Sequence, residues 1–166
     1  MSSAGPVVRK ATPADFEAIV RINQAEIART SAMDAVALSR FAAMAAMLDV
    51  VEVDGDVVAF LLALREGAPY ANDNFAWFSA RYPRFLYVDR IVVDAAQAGR
   101  GLGAALYRRL FDRARADAIP VVVCEYNLEP PNPASAAFHA RFGFAEVGQR
   151  VYGDGVRRVS MQAAPV

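Results

Sequence analysis

The chain has 166 residues, a length typical of one domain, and 55% of them are hydrophobic, which is enough for a full core. Its 18 basic and 18 acidic residues cancel, so neither nucleic acid nor an anionic membrane is favoured as a partner. One cysteine, Cys124, allows no internal disulfide, and a single histidine disfavours a metal site. No apolar run reaches the ~18 residues of a membrane span, and the first ten residues lack the apolar core of a signal peptide. We expect one cytoplasmic domain over residues 1–166 that binds no metal.

The first third of the chain predicts a strand, two helices and a hairpin. Thr12, Pro13 and Asp15 are typical of a helix start, because they supply an N-cap, a first helical position and an acidic first turn. The Asp54–Gly55 pair is a strong signal for a hairpin turn. The predicted elements are a strand over 6–11, a helix from Thr12 to about Arg29, a helix from Asp34 to about Leu48, and strands over 50–53 and 56–64.

A long loop is predicted over 67–83. It mixes asparagines with aromatic residues, and long loops in compact domains are often functional. We interpret it as a substrate lid in which Asn72, Asn74 and Trp77 contact the substrate. The alternative is that its aromatic residues only pack into the domain.

The segment over 85–110 is the centre of the pattern. A β-branched strand from Phe85 to Val93 is followed by the sequence GRGLG at 99–103 and then by a helix with one apolar face. Glycines before a helix N-terminus suit a phosphate, because the first N–H groups of the helix have no internal partner. The spacing matches neither a dinucleotide fingerprint nor a P-loop. A glycine turn without a ligand stays open as an alternative.

The last third predicts a buried strand over 120–126, a proline-rich bend over 127–133 and a helix over 134–142 that ends at Gly143. Two more strands follow over 144–151 and 156–162, with a turn at 153–155.

Two of these motifs resemble the GNAT N-acyltransferase superfamily. The first is IVV at 91–93 followed by GRGLG, where the usual arginine or glutamine falls on Ala98 and Gln97 lies one residue early. The second is NPASAAFHARFGF at 132–144, where His139 occupies the usual tyrosine position. The segments YVDR at 87–90 and NLEPPNPAS at 127–135 further resemble an uncharacterised bacterial branch of predicted acetyltransferases. The predicted element order, β-α-α-β-β-β-α-β-α-β-β, also matches.

The resemblance implies an α/β fold with a mixed, mostly antiparallel sheet of about seven strands flanked by helices. It implies acetyl-CoA as cosubstrate, without a metal, and direct transfer through a ternary complex to a primary amine of a small molecule or peptide. It also implies backbone contacts of the loop with the CoA pyrophosphate and of the preceding strand with pantetheine. The implied cofactor residues are Ile91, Val92, Val93, Ala98, Gly99, Arg100, Gly101, Leu102, Gly103, Ala104, Asn132, Ser135 and Phe138.

Two carboxylates are candidates to take the proton of the arriving ammonium. Asp89 and Glu125 lie late on core strands, where a charge is not expected without a partner. The alternative for each is an ion pair, for example with Arg90 or Arg84. Cys124 follows three valines and is interpreted as a buried structural thiol.

His139 is the candidate acid for the leaving thiolate, because it falls on the family's tyrosine position and titrates near neutral pH. Asn132 and Ser135 share its helix face. The alternative is a histidine that only fills a contact between the helix and the sheet.

The substrate residues are expected to include Tyr87 and Asn127 besides those of the loop. A different class of function stays open, namely a non-catalytic acyl-CoA-binding regulatory module. A nucleotide-phosphate binder is a third interpretation. Family members are often dimers, so the resemblance is compatible with a homodimer.

Overall fold

The computed structural model describes residues 4–27, 30–153, 155 and 157–166, and its strands form one seven-stranded sheet. Their order is β1-β2-β3-β4-β5-β7-β6, with β4 and β5 parallel and with antiparallel pairs at both ends. The strands are β1 Val7–Lys10, β2 Met47–Val53, β3 Asp56–Arg65, β4 Leu86–Val93, β5 Val121–Asn127, β6 Ala145–Tyr152 and β7 Arg157–Pro165.

In the described part of the chain, five α-helices connect these strands, and short 3-10 turns precede the first and fourth helices. Polar side chains begin three of them: Asp34 accepts a hydrogen bond from the N–H of Ala37, and Asn72 and Asn132 act in the same way at the third and fifth helices. The helices are α1 Phe16–Ala25, α2 Ala35–Met44, α3 Asp73–Ser79, α4 Leu102–Ala116 and α5 Pro133–Arg141.

The chain divides into two compact units. The first comprises Met1–Leu64 and Val88–Leu110. Its core is formed by side chains of α1, α2, β2, β3 and β4 that exclude water almost completely, as expected for apolar residues at helical and strand periods. These residues include Ile19, Leu38, Val50, Phe60 and Val92.

The second unit comprises Arg65–Tyr87 and Phe111–Val166. One of its cores is aromatic: Phe75 and Phe78 of α3 meet Tyr87 with ring centroids 5.5 Å and 5.8 Å away. Phe85 lies 5.6 Å from Phe75, nearly edge to face. Such tilted contacts place ring edges against ring faces, which favours one arrangement of α3 on the strands.

The predicted fold class is confirmed: the sheet is mixed and mostly antiparallel, and helices flank it. The hairpin is also present, with Asp54 and Gly55 at φ of 51° and 87° between β2 and β3. A single domain over 1–166 stays a prediction. Among the described residues, no helix combines the length and the apolar character needed to cross a bilayer.

The predicted helical bounds were too long at two places. α1 ends at Ala25, and Arg29 lies outside the described residues. α2 ends at Met44 and not near Leu48, because Met47 already starts β2, where it pairs with Ala63. The run of alanine and methionine favours a helix, but the sheet recruits its last residues.

The predicted loop over 67–83 was wrong for its centre, which folds as α3. Asn72 accepts hydrogen bonds from the N–H groups of Asn74 and Phe75 and so caps the helix. Phe75 and Phe78, three residues apart, both point inward. At the other late turn, Asp154 and Val156 lie outside the described residues, and β7 runs on to Pro165.

Candidate functional site

The glycine turn, residues 98–103, is built by backbone geometry in the first unit. Gly99 and Gly101 have φ of 79° and 74°, a region that side chains with a Cβ rarely adopt. A Cβ built at either glycine meets nothing within 4 Å, so conformation rather than space requires glycine there. α4 begins at Leu102, two residues earlier than predicted, because the last two residues of GRGLG already belong to the helix. The turn therefore presents the N–H groups that start α4.

Asp89, on β4 of the same unit, forms a buried ion pair. Its Oδ2 lies 2.7 Å from Nε of Arg90, and both side chains are only 5% exposed. Arg90 also donates to Oδ1 of Asn23 and to the carbonyl and hydroxyl of Ser31. Arg90 thus connects β4 to α1 and to the segment before α2. The ion-pair interpretation of Asp89 agrees with this geometry, because the pair and its hydrogen bonds compensate a buried charge.

Glu125, on β5 in the second unit, lies at the centre of a polar network. Its Oε1 accepts hydrogen bonds from the hydroxyl of Tyr87 at 2.8 Å and from Nδ2 of Asn74 at 3.1 Å. Asn74 in turn accepts a short hydrogen bond from Nη1 of Arg150 on β6. Two donors on separate elements therefore hold one carboxylate oxygen in place.

Strand register places these groups on one face of the sheet. Val159 of β7 pairs with Asn127 on one side and with Arg150 on the other, and directly paired residues share a face. Glu125 lies two residues before Asn127, and Tyr152 two residues after Arg150, so all four share that face. The Tyr152 hydroxyl donates to Oδ1 of Asn127 at 3.3 Å. We call Tyr87, Glu125, Asn127, Arg150 and Tyr152 the Glu125 patch.

α3 packs on this face through Trp77. A Cβ at Gly148 would lie 2.5 Å from the Trp77 ring, so only glycine admits the indole there. The guanidinium of Arg81 also stacks on the Trp77 ring, 3.5 Å from its centroid. Trp77 and Asn74 together fix α3 against the sheet, one by packing and the other by hydrogen bonds.

His139 lies on α5, where burial lowers its pKa below the ordinary value and a hydrogen bond with Ser135 opposes the shift. Its Nδ1 lies 2.7 Å from the carbonyl oxygen of Ser135, and since a carbonyl only accepts, Nδ1 carries a proton. The ring packs against Tyr126, Phe138 and Phe144, with centroids 5.2 to 5.7 Å away.

His139 and Glu125 lie against opposite faces of β5. Tyr126 follows Glu125 directly, so its side chain leaves the strand on the other face, and its ring contacts His139. This placement agrees with the alternative interpretation of His139 as a contact between helix and sheet. Its role as an acid stays a prediction.

The family is decided by the match of a family model. Residues 16–144 match the model described as the acetyltransferase (GNAT) family. The chain belongs to the GNAT acetyltransferase family.

Three relatives illustrate the range of likeness of this GNAT chain. A phosphinothricin N-acetyltransferase of Streptomyces coelicolor is 41% identical over 58 residues, which are 35% of this chain and 33% of that protein. The matched stretch is thus about a third of the length of that curated relative. Among solved structures, Ard1 from Thermoplasma volcanium has a TM-score of 0.79 at 18% identity, with 98% of this chain and 99% of that one covered.

The structure of yncA from Salmonella typhimurium, solved with its cofactor acetyl-CoA, has a TM-score of 0.71 at 23% identity. It covers 98% of this chain and 94% of that one. At these identities the solved structures show a shared fold.

The glycine turn of this GNAT chain fits the pyrophosphate of CoA on its own geometry. Two left-handed glycines leave the approach to the amides open, and the start of α4 favours negative charge. Arg100 is exposed in the turn and donates to Gln97, the residue one position before Ala98. Ala98 offers no side-chain donor, so the backbone would carry the contact.

The predicted residues of the GNAT site therefore lie in several places. Ile91, Val92 and Val93 end β4, residues 94–97 separate them from the glycine turn, and Val92 is buried. Asn132 caps α5 by accepting from the N–H of Ser135. Phe138 is half-buried and contacts Phe142 at 5.3 Å. No ligand contact of these residues follows from such geometry, and their cofactor role stays a prediction.

The sequence interpretation missed Arg150 and Tyr152. Both alternate with exposed positions on β6, an edge strand whose exposed face also carries the apolar Val147 and Val151, so periodicity alone did not distinguish them from surface residues. α3 carried a signal that was overlooked: Asn72 as a cap, Asp73 in the first turn and phenylalanines three residues apart.

Proposed function

We propose that the chain is an acetyl-CoA-dependent N-acetyltransferase that acts on a primary amine of a small molecule or peptide by direct transfer in a ternary complex. Membership of the GNAT family supports acetyl transfer. The observation that favours an enzyme over a binding module is the carboxylate of Glu125, which Tyr87 and Asn74 hold in one orientation. Binding of CoA alone requires no such carboxylate.

Glu125 is the proposed base. An alkylamine titrates at about 10.4 and arrives as an ammonium, so one proton must leave before nitrogen can attack. Glu125 accepts this proton, directly or through a water, and releases it to solvent. Before the amine binds, Tyr87 and Asn74 orient the carboxylate by donating to Oε1. Asp89 is the less suitable base, because it is already paired with Arg90 in a buried position.

Acetyl-CoA supplies a thioester carbonyl that the neutral amine attacks. The new N–C bond forms while the C–S bond breaks, and the electron pair of that bond leaves with sulfur. After the attack, nitrogen loses a second proton and becomes the amide nitrogen. The departing thiolate takes up one proton and becomes the CoA thiol, so the protons balance. The amides of the glycine turn are proposed to hold the pyrophosphate, and those of Val92 and Val93 to donate to the carbonyl oxygen.

His139 is not assigned the acid role in this proposal. Its lowered pKa keeps the ring neutral near pH 7, and its Nδ1 proton is directed at the carbonyl of Ser135. The CoA thiol is an alkyl thiol like that of cysteine, which titrates at about 8.5, so the thiolate needs little help to leave. His139 is proposed to support the packing of α5 instead.

The test measures thiol release from acetyl-CoA with a panel of primary amines that includes phosphinothricin, free amino acids and short peptides. Release that depends on the amine, together with a product heavier by one acetyl group, is the expected result. A protein that acetyl-CoA stabilises against heat, but that acetylates no amine in the panel, would instead be an acyl-CoA-binding module. Stabilisation by ATP or NAD and not by CoA would contradict both.

A further inference from the structure

The side-chain amide of Asn74 lies between an anion and a cation. Its Nδ2 donates to Oε1 of Glu125 at 3.1 Å, and its Oδ1 accepts from Nη1 of Arg150. One neutral amide therefore connects a carboxylate on β5 to a guanidinium on β6. Only this amide and its two hydrogen bonds separate the carboxylate of Glu125 from the guanidinium of Arg150.

This arrangement is the complement of an α-amino acid. The ammonium of an amino acid donates hydrogen bonds, as the amide nitrogen of Asn74 does. Its carboxylate accepts them, as the amide oxygen does, and the two groups lie on neighbouring carbons. We infer that the acetyl acceptor is a free α-amino acid, whose ammonium replaces Asn74 on Glu125 and whose carboxylate replaces it on Arg150. The inference rests on the proposed function and specifies its substrate class.

The charges favour this exchange. In the two hydrogen bonds of Asn74, only the partner is charged. An amino acid instead offers a charged ammonium to Glu125 and a charged carboxylate to Arg150. A guanidinium also binds a carboxylate through two parallel N–H groups. The Arg150 side chain keeps 21% of its surface exposed. Asp73 is the competing anion, but its Oδ2 lies 3.8 Å away and its side chain is 92% exposed. Such an exposed pair opposes a ligand only weakly.

The same geometry disfavours two other classes of amine. A simple alkylamine reaches Glu125 but offers nothing to Arg150. The amino terminus of a peptide carries an amide where a free amino acid carries its carboxylate, so it satisfies the guanidinium without compensating its charge. A free amino acid satisfies Glu125 and Arg150 together.

The experiment compares each L-amino acid with its own carboxamide, so that the pair differs only in the carboxylate. Wild-type enzyme should acetylate the better acids with a KM below that of their carboxamides. Arg150→Gln should raise the KM of the acid about tenfold or more and leave that of the carboxamide nearly unchanged. Arg158→Gln is the matched control. Arg158 is exposed, and because its neighbour Val159 shares the face of the patch, Arg158 lies on the opposite face of β7. This control should keep the wild-type ratio.

Three results would overturn the inference: an equal KM for acid and carboxamide, a wild-type ratio in Arg150→Gln, or a change of equal size in Arg158→Gln. If no amine is acetylated at all, the proposed function fails, and calorimetry with the amino acids alone decides the inference. Binding that Arg150→Gln abolishes would then support the amino-acid site. No binding of any amino acid would overturn it.

Asn74 competes with the substrate for Glu125 and Arg150, so the removal of its amide should change the KM of the acid in the direction opposite to Arg150→Gln. Asn74→Ala should lower the KM for the acid and for the carboxamide by a similar factor, because the ammonium of each must displace Asn74 from Glu125 and an occupied site weakens apparent affinity. Asn72→Ala removes the cap of α3 but leaves the Asn74 side chain, and thus separates a loosened helix from a missing amide. If both variants change the KM alike, or if Asn74→Ala lowers kcat equally for acid and carboxamide, Asn74 only positions Glu125.

Discussion

The glycine turn and the Glu125 patch present polar groups in opposite ways. The turn uses backbone N–H groups, whose direction depends on φ at Gly99 and Gly101. The patch uses side chains from strands far apart in sequence, such as Tyr87 and Glu125, which are 38 residues apart and 2.8 Å from each other. A backbone site depends on conformation within a few residues, whereas this side-chain site depends on the register of four strands, β4, β5, β7 and β6. Substitutions should therefore affect the two regions differently.

The largest effect is expected at Glu125. Glu125→Gln keeps an oxygen that accepts from Tyr87 and Asn74 but removes the base, so kcat should fall by roughly 10² to 10⁴. The Kd for acetyl-CoA should stay the same, because the glycine turn is unchanged. Steady-state kinetics and calorimetry measure the two quantities. Glu17→Gln, at an exposed position of α1, is the matched control. A kcat within threefold of wild type would exclude Glu125 as the base.

The second effect concerns the turn. Gly101→Ala forces a Cβ into a left-handed conformation at φ of 74° and should cost about 1–2 kcal/mol of stability or shift the amides. The Kd for acetyl-CoA is expected to rise about tenfold or more, since a shift by 1.4 kcal/mol already corresponds to tenfold.

Gly67→Ala is the control for this prediction, since Gly67 has φ of 82° and equally open surroundings in another turn. It should lose similar stability in thermal unfolding but keep its affinity for acetyl-CoA. Equal losses of affinity in both variants would mean that the turn acts through stability alone.

The third prediction separates a structural carboxylate from the proposed base. Asp89→Asn leaves the buried guanidinium of Arg90 without its charged partner, which should cost about 3–5 kcal/mol. The expected fall in Tm is roughly 10 °C for a chain of this size. Asp112→Asn breaks the exposed pair with Arg115 and should change Tm little. If Asp89→Asn keeps its Tm but loses kcat, the two carboxylates have exchanged roles.

The smallest effect is expected at His139. Burial lowers its pKa in the folded chain, while in the unfolded chain it titrates near 6.5. The unfolded state therefore binds more protons as the pH falls below about 6.5, and the stability that the neutral ring provides is lost from there down through the folded pKa. His139→Phe should flatten this part of the curve of unfolding free energy against pH. Its kcat should change less than about threefold. A loss of kcat comparable to that of Glu125→Gln would restore His139 as the acid.

Much of the fold could be read from the sequence because its signals are local. Asp54–Gly55 predicted the hairpin, and the apolar face of α4, with Leu106 and Leu110 fully buried, followed from the helical period. The end of α2 could not be read in this way, because Met47 joins β2 through pairing with Ala63, a residue on another strand. Likewise, α3 is stabilised by aromatic contacts with Phe85 and Tyr87 that lie outside its own segment.

The sequence alone determined the family resemblance, the succession of the strands along the chain and the glycine turn, since each depends on neighbouring residues and on the conformational freedom of glycine. It also proposed Glu125, together with Asp89, as the group that takes the proton of the ammonium. The tertiary structure distinguished these two carboxylates, because it paired Asp89 with Arg90 and placed Glu125 beside Tyr87 and Asn74. It alone brought Arg150 to the same face, since only strand register decides which distant side chains meet.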